Sequence, residues 1–213
     1  ADRDMYLNPD GTANHDLSRS GPLAAGIPGQ VAGLEHLATK YGKLPLAVSL
    51  QPAIRIARDG FPVYTKFLGM LSRSAKTMRR WPAAPDVFLP GGEVPEIGQV
   101  IKNPDILKVL EKIAAEGRDG FYKGELAQRL VDGVQNAGGI WSMEDLANYE
   151  VKEREPVRTM YQGYELVTAP PPSSGGIAIA EILNIIQPYN VSELGKIQRT
   201  HLVVEAMRRA FRD

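Results

Sequence analysis

The 213-residue chain contains no cysteine, which excludes disulfides, thiol nucleophiles and thiolate metal sites together and leaves the redox compartment open. It has no excess of either charge, because 25 Lys and Arg balance 25 Asp and Glu. No global field therefore draws it to nucleic acid or to an anionic membrane, and partners have to be argued locally. No apolar run approaches the roughly 20 residues of a membrane span. The start, Ala1-Asp2-Arg3-Asp4, is unlike a signal peptide, so an export signal would lie upstream. Gly-x-Ser-x-Gly elbows and Walker loops are also missing. The histidines His15, His36 and His201 lack a second histidine at metal-binding spacing and read as surface or packing residues.

What is present is a soluble-type composition, 43% hydrophobic, with many turn signals. Residues 1–29 read as loop, with a turn at Asn8-Pro9-Asp10-Gly11. The Asn8 and Asp10 spacing is a poor calcium loop, since Tyr6 and Leu17 occupy ligand positions. Residues 30–150 read as mostly helical. Val31, Leu34, Leu37, Ala38 and Tyr41 fall at helical spacing, ended by Gly42. A helix over 45–59 should kink or break early at Pro52. Residues 64–80 suit another helix, and the proline- and glycine-punctuated stretch after it, through Gly92, is expected to be irregular. Asn103 caps a helix that stops at Gly117, a further helix runs from Glu125 to Ala137, and Ser142 with Asp145 predicts a near capping box. Arg58-Asp59-Gly60-Phe61 recurs as Arg118-Asp119-Gly120-Phe121, which reads as two helix ends.

Residues 151–213 read as a hairpin, a Pro-Ser-Gly turn and C-terminal helices. Val157–Tyr161 and Tyr164–Thr168 flank Gln162-Gly163. Pro170-Pro171-Pro172-Ser173-Ser174-Gly175-Gly176 then predicts a stiff extended arm and a tight turn opening a helix at Ile177. Ser173, Ser174, Gly175 and Gly176 are the candidate substrate-binding residues: two hydroxyls and backbone N–H groups able to hold a carboxylate or line a cleft. The same residues would equally serve as a helix cap. In the last helix Leu202, Val203, Ala206, Met207 and Ala210 are expected inward. Its basic residues Lys196, Arg199, Arg208, Arg209 and Arg212 are interleaved with acids and read as a solvated face or a surface under a missing segment. Glu144-Asp145 and Glu153 with Glu155 should face water. The start in mid-loop and the stop inside a helical pattern suggest an excised piece or one product of cleavage.

The order of Asp4-Met5-Tyr6-Leu7, Gly26-Ile27-Pro28-Gly29, Val31-Ala32-Gly33-Leu34, Tyr41-Gly42-Lys43-Leu44-Pro45, Ala57-Arg58-Asp59-Gly60-Phe61, Phe121-Tyr122-Lys123-Gly124, Gly138-Gly139, Glu144-Asp145-Leu146 with Tyr149, Tyr161-Gln162-Gly163-Tyr164 and the turn from Pro170 to Gly176 resembles the gamma-glutamyltransferase family. The resemblance covers nearly the whole chain. It implies a mainly α fragment with a few β-strands, part of the large subunit of an αββα N-terminal-nucleophile hydrolase that matures by cutting itself. It further implies cleavage of gamma-glutamyl amides such as that of glutathione, with acyl transfer to water or to amino acid and peptide acceptors. No metal or organic cofactor is implied, and the location implied is periplasmic or extracellular.

The family's nucleophile opens a Thr-Thr-His segment of the small subunit, which is not in this sequence. Thr200-His201 follows Arg199 and sits in a helical pattern, so no catalytic residue is assigned. The family's arginine for the substrate carboxylate belongs upstream. The partner implied is the small subunit carrying the threonine, with no nucleic acid and no membrane span, and the chain alone is expected to be inactive. Two other readings stay open: a cephalosporin or glutaryl acylase or poly-gamma-glutamate transpeptidase on the same scaffold, and a non-catalytic helical interaction module.

Overall fold

The computed structural model describes residues 2–81 and 83–212, so Ala1, Pro82 of the punctuated stretch and Asp213 of the C-terminal charge pattern lie outside the described residues. The chain divides into two units, one through Val151 and one from Lys152 onward.

In the first unit the helices are α1 (Gln30–Lys40), α2 (Leu46–Ser49), α3 (Gln51–Asp59), α4 (Thr65–Met78), α5 (Ala83–Phe88), α6 (Pro104–Glu116), α7 (Asp119–Tyr122), α8 (Gly124–Asn136) and α9 (Met143–Ala147). Strands β1 (Phe61–Pro62) and β2 (Val100–Ile101) pair antiparallel, Phe61 opposite Ile101. The opening residues are loop apart from an isolated bridge between Leu7 and Ala13 and a 3₁₀ turn at Pro22–Ala24. The expected turn is closed by Gly11 N–H donating to the Asn8 carbonyl.

The break expected at Pro52 falls at Leu50: Pro52 sits in the first turn of α3, where its missing N–H has no helical partner to lose. The Asn103 side chain accepts from Ile106 N–H at 3.0 Å, and Gly117 ends α6. Ser142 and Asp145 complete a reciprocal capping box on α9. Two expectations are corrected. The stretch after α4 holds the short helix α5, and Leu89 just beyond it is buried with Leu71 and Ala75 of α4, a burial that outweighs the local punctuation. The second Arg-Asp-Gly-Phe segment enters α7 rather than ending a helix, because Phe121 and Tyr122 must turn into the core.

That core gathers Ala32, Ile113, Phe121, Tyr122, Ala127, Val131, Trp141 and Leu146. Each large apolar side chain buried there contributes about 1.5–3 kcal/mol before entropy is charged against it. The apolar positions of α1 do not all join it: Leu37 and Tyr41 remain 55% and 63% exposed, and the helix buries its small residue Ala32.

The second unit contains β3 (Val157–Tyr161), β4 (Tyr164–Thr168), α10 (Ser174–Ile186) and α11 (Lys196–Ala210). The hairpin has the expected bounds, with Val157 opposite Thr168 and Tyr161 opposite Tyr164. Both loop residues, Gln162 and Gly163, have positive φ (49° and 85°), which matches the right-handed twist of the strands. α10 packs on β3 and on α11. In α11 Ala206 is fully buried, whereas Met207, expected inward, is 41% exposed because the small alanine takes the central contact.

Candidate functional site

The four candidate residues lie where the hairpin hands the chain to α10. After β4 the expected stiff extended arm is instead a turn: the Pro171–Pro172 bond is cis, and Ser173 N–H donates to the Pro170 carbonyl at 3.1 Å, closing the turn through the two prolines. The helix then opens at Ser174, three residues before Ile177, so both glycines are helical, which corrects the expected start. Ser173 occupies the cap position with extended backbone, yet its hydroxyl makes no capping bond, so the simple capping role is not realised by its side chain.

The two glycines differ. Gly175 is exposed, with open space where a Cβ would go apart from the Ser173 hydroxyl. Gly176 is buried, and a Cβ there would run into the Ala169 carbonyl oxygen and the Thr168 hydroxyl. Gly176 thus seats α10 against the end of β4, while Ser173, Ser174 and Gly175 form an exposed rim. Among the described residues no side chain caps the first-turn N–H groups, so this rim can offer donors to an anion or to a neighbouring backbone.

The other groups weighed from sequence stay apart. His15 and His201 are exposed, His36 is half-buried and lies edge-on to Tyr41 at 6.3 Å, and among the described residues no group of histidines and carboxylates could hold a metal. Thr200 is inside α11, with its hydroxyl donating to the Lys196 carbonyl. Asp145 is occupied as a cap; hydrogen bonds from the Ser142 hydroxyl and then its N–H hold its carboxyl below the ordinary value. Glu205 is likewise lowered, by hydrogen bonds from Arg208 and Arg209, so much of the α11 charge is paired within the helix.

Sequence reasoning missed an aromatic clasp in the first unit. Tyr6 Oη donates to the Leu23 carbonyl (3.0 Å), Trp141 Nε1 to that of Ala25 (2.9 Å) and Tyr122 Oη to that of Pro28 (2.5 Å). The Tyr122 hydroxyl also accepts from Ala32 N–H, and its ring stacks on Tyr149 with centroids 5.8 Å apart. The segment before α1, from its 3₁₀ turn to Pro28, thus has three of its carbonyls answered by three distant side chains. The only sequence signal was the presence of polar-tipped aromatics among apolar positions.

The fold has counterparts among solved proteins. It matches the crystal structure of Helicobacter pylori gamma-glutamyltranspeptidase with a TM-score of 0.95 and 34% identity, over 99% of this chain and 61% of that one. It matches a cephalosporin acylase from Bacillus halodurans with a TM-score of 0.83 and 32% identity, over 90% of this chain and 37% of that one. The mainly helical chain with its two small antiparallel sheets is thus part of an N-terminal-nucleophile hydrolase fold. The gamma-glutamyltranspeptidase family model matches residues 1–213, and the chain belongs to that family. It is 40% identical over 216 residues to a glutathione hydrolase proenzyme of a Pseudomonas species, covering 100% of this chain and 38% of that protein. The chain therefore spans well under half the length of this curated relative.

Proposed function

We propose that this chain is the large-subunit portion of a gamma-glutamyltransferase that cleaves the gamma-glutamyl amide of glutathione and related compounds and passes the acyl group to water or to amino acid and peptide acceptors. The observation that carries the reading is the 40% identity to a glutathione hydrolase proenzyme across the full 213 residues. A small subunit bearing an N-terminal threonine is the partner this reading requires, its hydroxyl activated by its own α-amine. Residues 1–213 supply none of that chemistry and act as scaffold, with Ser173, Ser174, Gly175 and Gly176 assigned to the wall of the cleft. The complete protein is assigned to the periplasm or the cell exterior.

The test is expression of the complete gene, with chain cleavage followed by mass spectrometry and nitroaniline release measured on gamma-glutamyl-p-nitroanilide. Self-cleavage ahead of a threonine, with activity on this substrate and on glutathione, is the expected result; an uncleaved, inert product would overturn the proposal. The isolated chain should release no nitroaniline. Ser173→Ala with Ser174→Ala should raise KM more than it lowers kcat if these hydroxyls meet substrate. Cell fractionation tests the location.

A second reading, an acylase acting on glutaryl or cephalosporin amides, is favoured by the match to the cephalosporin acylase. Preference of the matured protein for a glutaryl amide over the gamma-glutamyl substrate would select it.

A further inference from the structure

The first unit contains a cavity of 520 Å³, lined by Glu35, His36 and Thr39 on one face of α1, by Arg118 at the start of α7, and by Glu150 and Val151 after α9. Its size falls within the range of small-molecule sites.

Arg118 is half-buried, and its position is fixed from two sides. Its Nη2 donates to the Tyr149 carbonyl oxygen at 2.6 Å, and its guanidinium lies 5.3 Å over the Tyr122 ring, itself locked in the core. Among the described residues no carboxylate forms an ion pair with it. Glu35, also half-buried, makes no hydrogen bond or ion pair among them. Its Oε1 lies against Gly117, the residue before Arg118, so the opposite charges share the cavity without meeting.

Partly desolvated charges of opposite sign, held apart on different elements, are each short of a counter-ion. A simple anion would satisfy Arg118 but face Glu35, and a simple cation would do the reverse. No group of histidines and carboxylates among the described residues could hold a metal ion. A molecule with both charges a few bonds apart answers both sides. We propose that this cavity binds the zwitterion of a small α-amino acid, its carboxylate on the free N–H groups of Arg118 and its ammonium on Glu35. The planar guanidinium suits a carboxylate, and its attachment to Tyr149 and Tyr122 means little ordering is left for binding to supply.

The test titrates the complete parent protein, labelled in its histidine rings, with glycine and L-alanine, following the His36 signal by NMR. Saturable shifts are expected with both, and none with N-acetylglycine, which lacks the ammonium, or glycinamide, which lacks the carboxylate. Glu35→Gln, which breaks no other bond, and Arg118→Gln should each weaken binding about tenfold or more. The proposal is overturned by no response at His36, as when another segment of the parent fills the cavity, by N-acetylglycine or glycinamide binding as well as glycine, or by Glu35→Gln binding like the parent. The readout does not depend on amide cleavage, so a parent active on gamma-glutamyl-p-nitroanilide but silent at His36 would refute this site alone.

Discussion

The Tyr122 hydroxyl lies between Pro28 and Ala32, donating to the carbonyl of the first at 2.5 Å and accepting from the N–H of the second at 3.2 Å. One phenol thereby joins the segment before α1 to the first turn of that helix, from 94 and 90 positions away in sequence. Tyr122 is 0% exposed, so water cannot replace either bond.

Tyr122→Phe should therefore lower stability by about 1–3 kcal/mol, since it leaves the carbonyl of half-buried Pro28 and the buried Ala32 N–H without their partner. Thermal unfolding followed by circular dichroism measures it. A change below about 0.5 kcal/mol would show that the hydroxyl is dispensable.

Burial is the main cause that raises the Tyr122 pKa above its ordinary value of 10.0. The neutral phenol is the form the fold keeps, so its contribution is complete below pH 10 and is lost as pH rises from there through the raised folded value. Urea midpoints taken across the alkaline range should fall for the parent chain and fall less for Tyr122→Phe.

The neighbouring glycines of the α10 turn should respond oppositely. Gly176→Ala places a methyl against the Ala169 carbonyl and the Thr168 hydroxyl, and should cost about 1–3 kcal/mol. Gly175→Ala has open space in a helical position and should gain about 0.5–1 kcal/mol. Chemical denaturation of the two variants side by side reads the contrast; equal effects would refute the packing role of Gly176.

The capping box on α9 sets an acid limit. Asp145 is lowered by its bonds from Ser142, so the stability it lends is present above the unfolded carboxylate value and disappears as pH falls through the lowered folded one. Ser142→Ala should cost about 0.5–2 kcal/mol near neutrality, and Asp145→Asn should flatten the acid limb of the stability profile.

Elements governed by neighbours in sequence were legible without coordinates. Gln162-Gly163 marked the hairpin, Asn103 and Ser142 marked caps, and Pro52 marked a break, because each acts on backbone within a few residues of itself. The candidate turn was legible as a shape, but the division of labour within it was not. The helix began earlier than Ile177, with Gly176 seated against Thr168 and Ala169, and this packing overrides local propensity.

By itself the sequence determined the succession of helices and the hairpin and the family, since motif order and local propensity are written along the chain. The tertiary structure alone decided which of two adjacent glycines is packed against its neighbours, which aromatic tips hold the segment before α1, and that Arg118 and Glu35 share a cavity with no ion pair among the described residues. Those outcomes depend on atoms brought together from different elements, and steric fit and desolvation are set only once the chain has closed on itself.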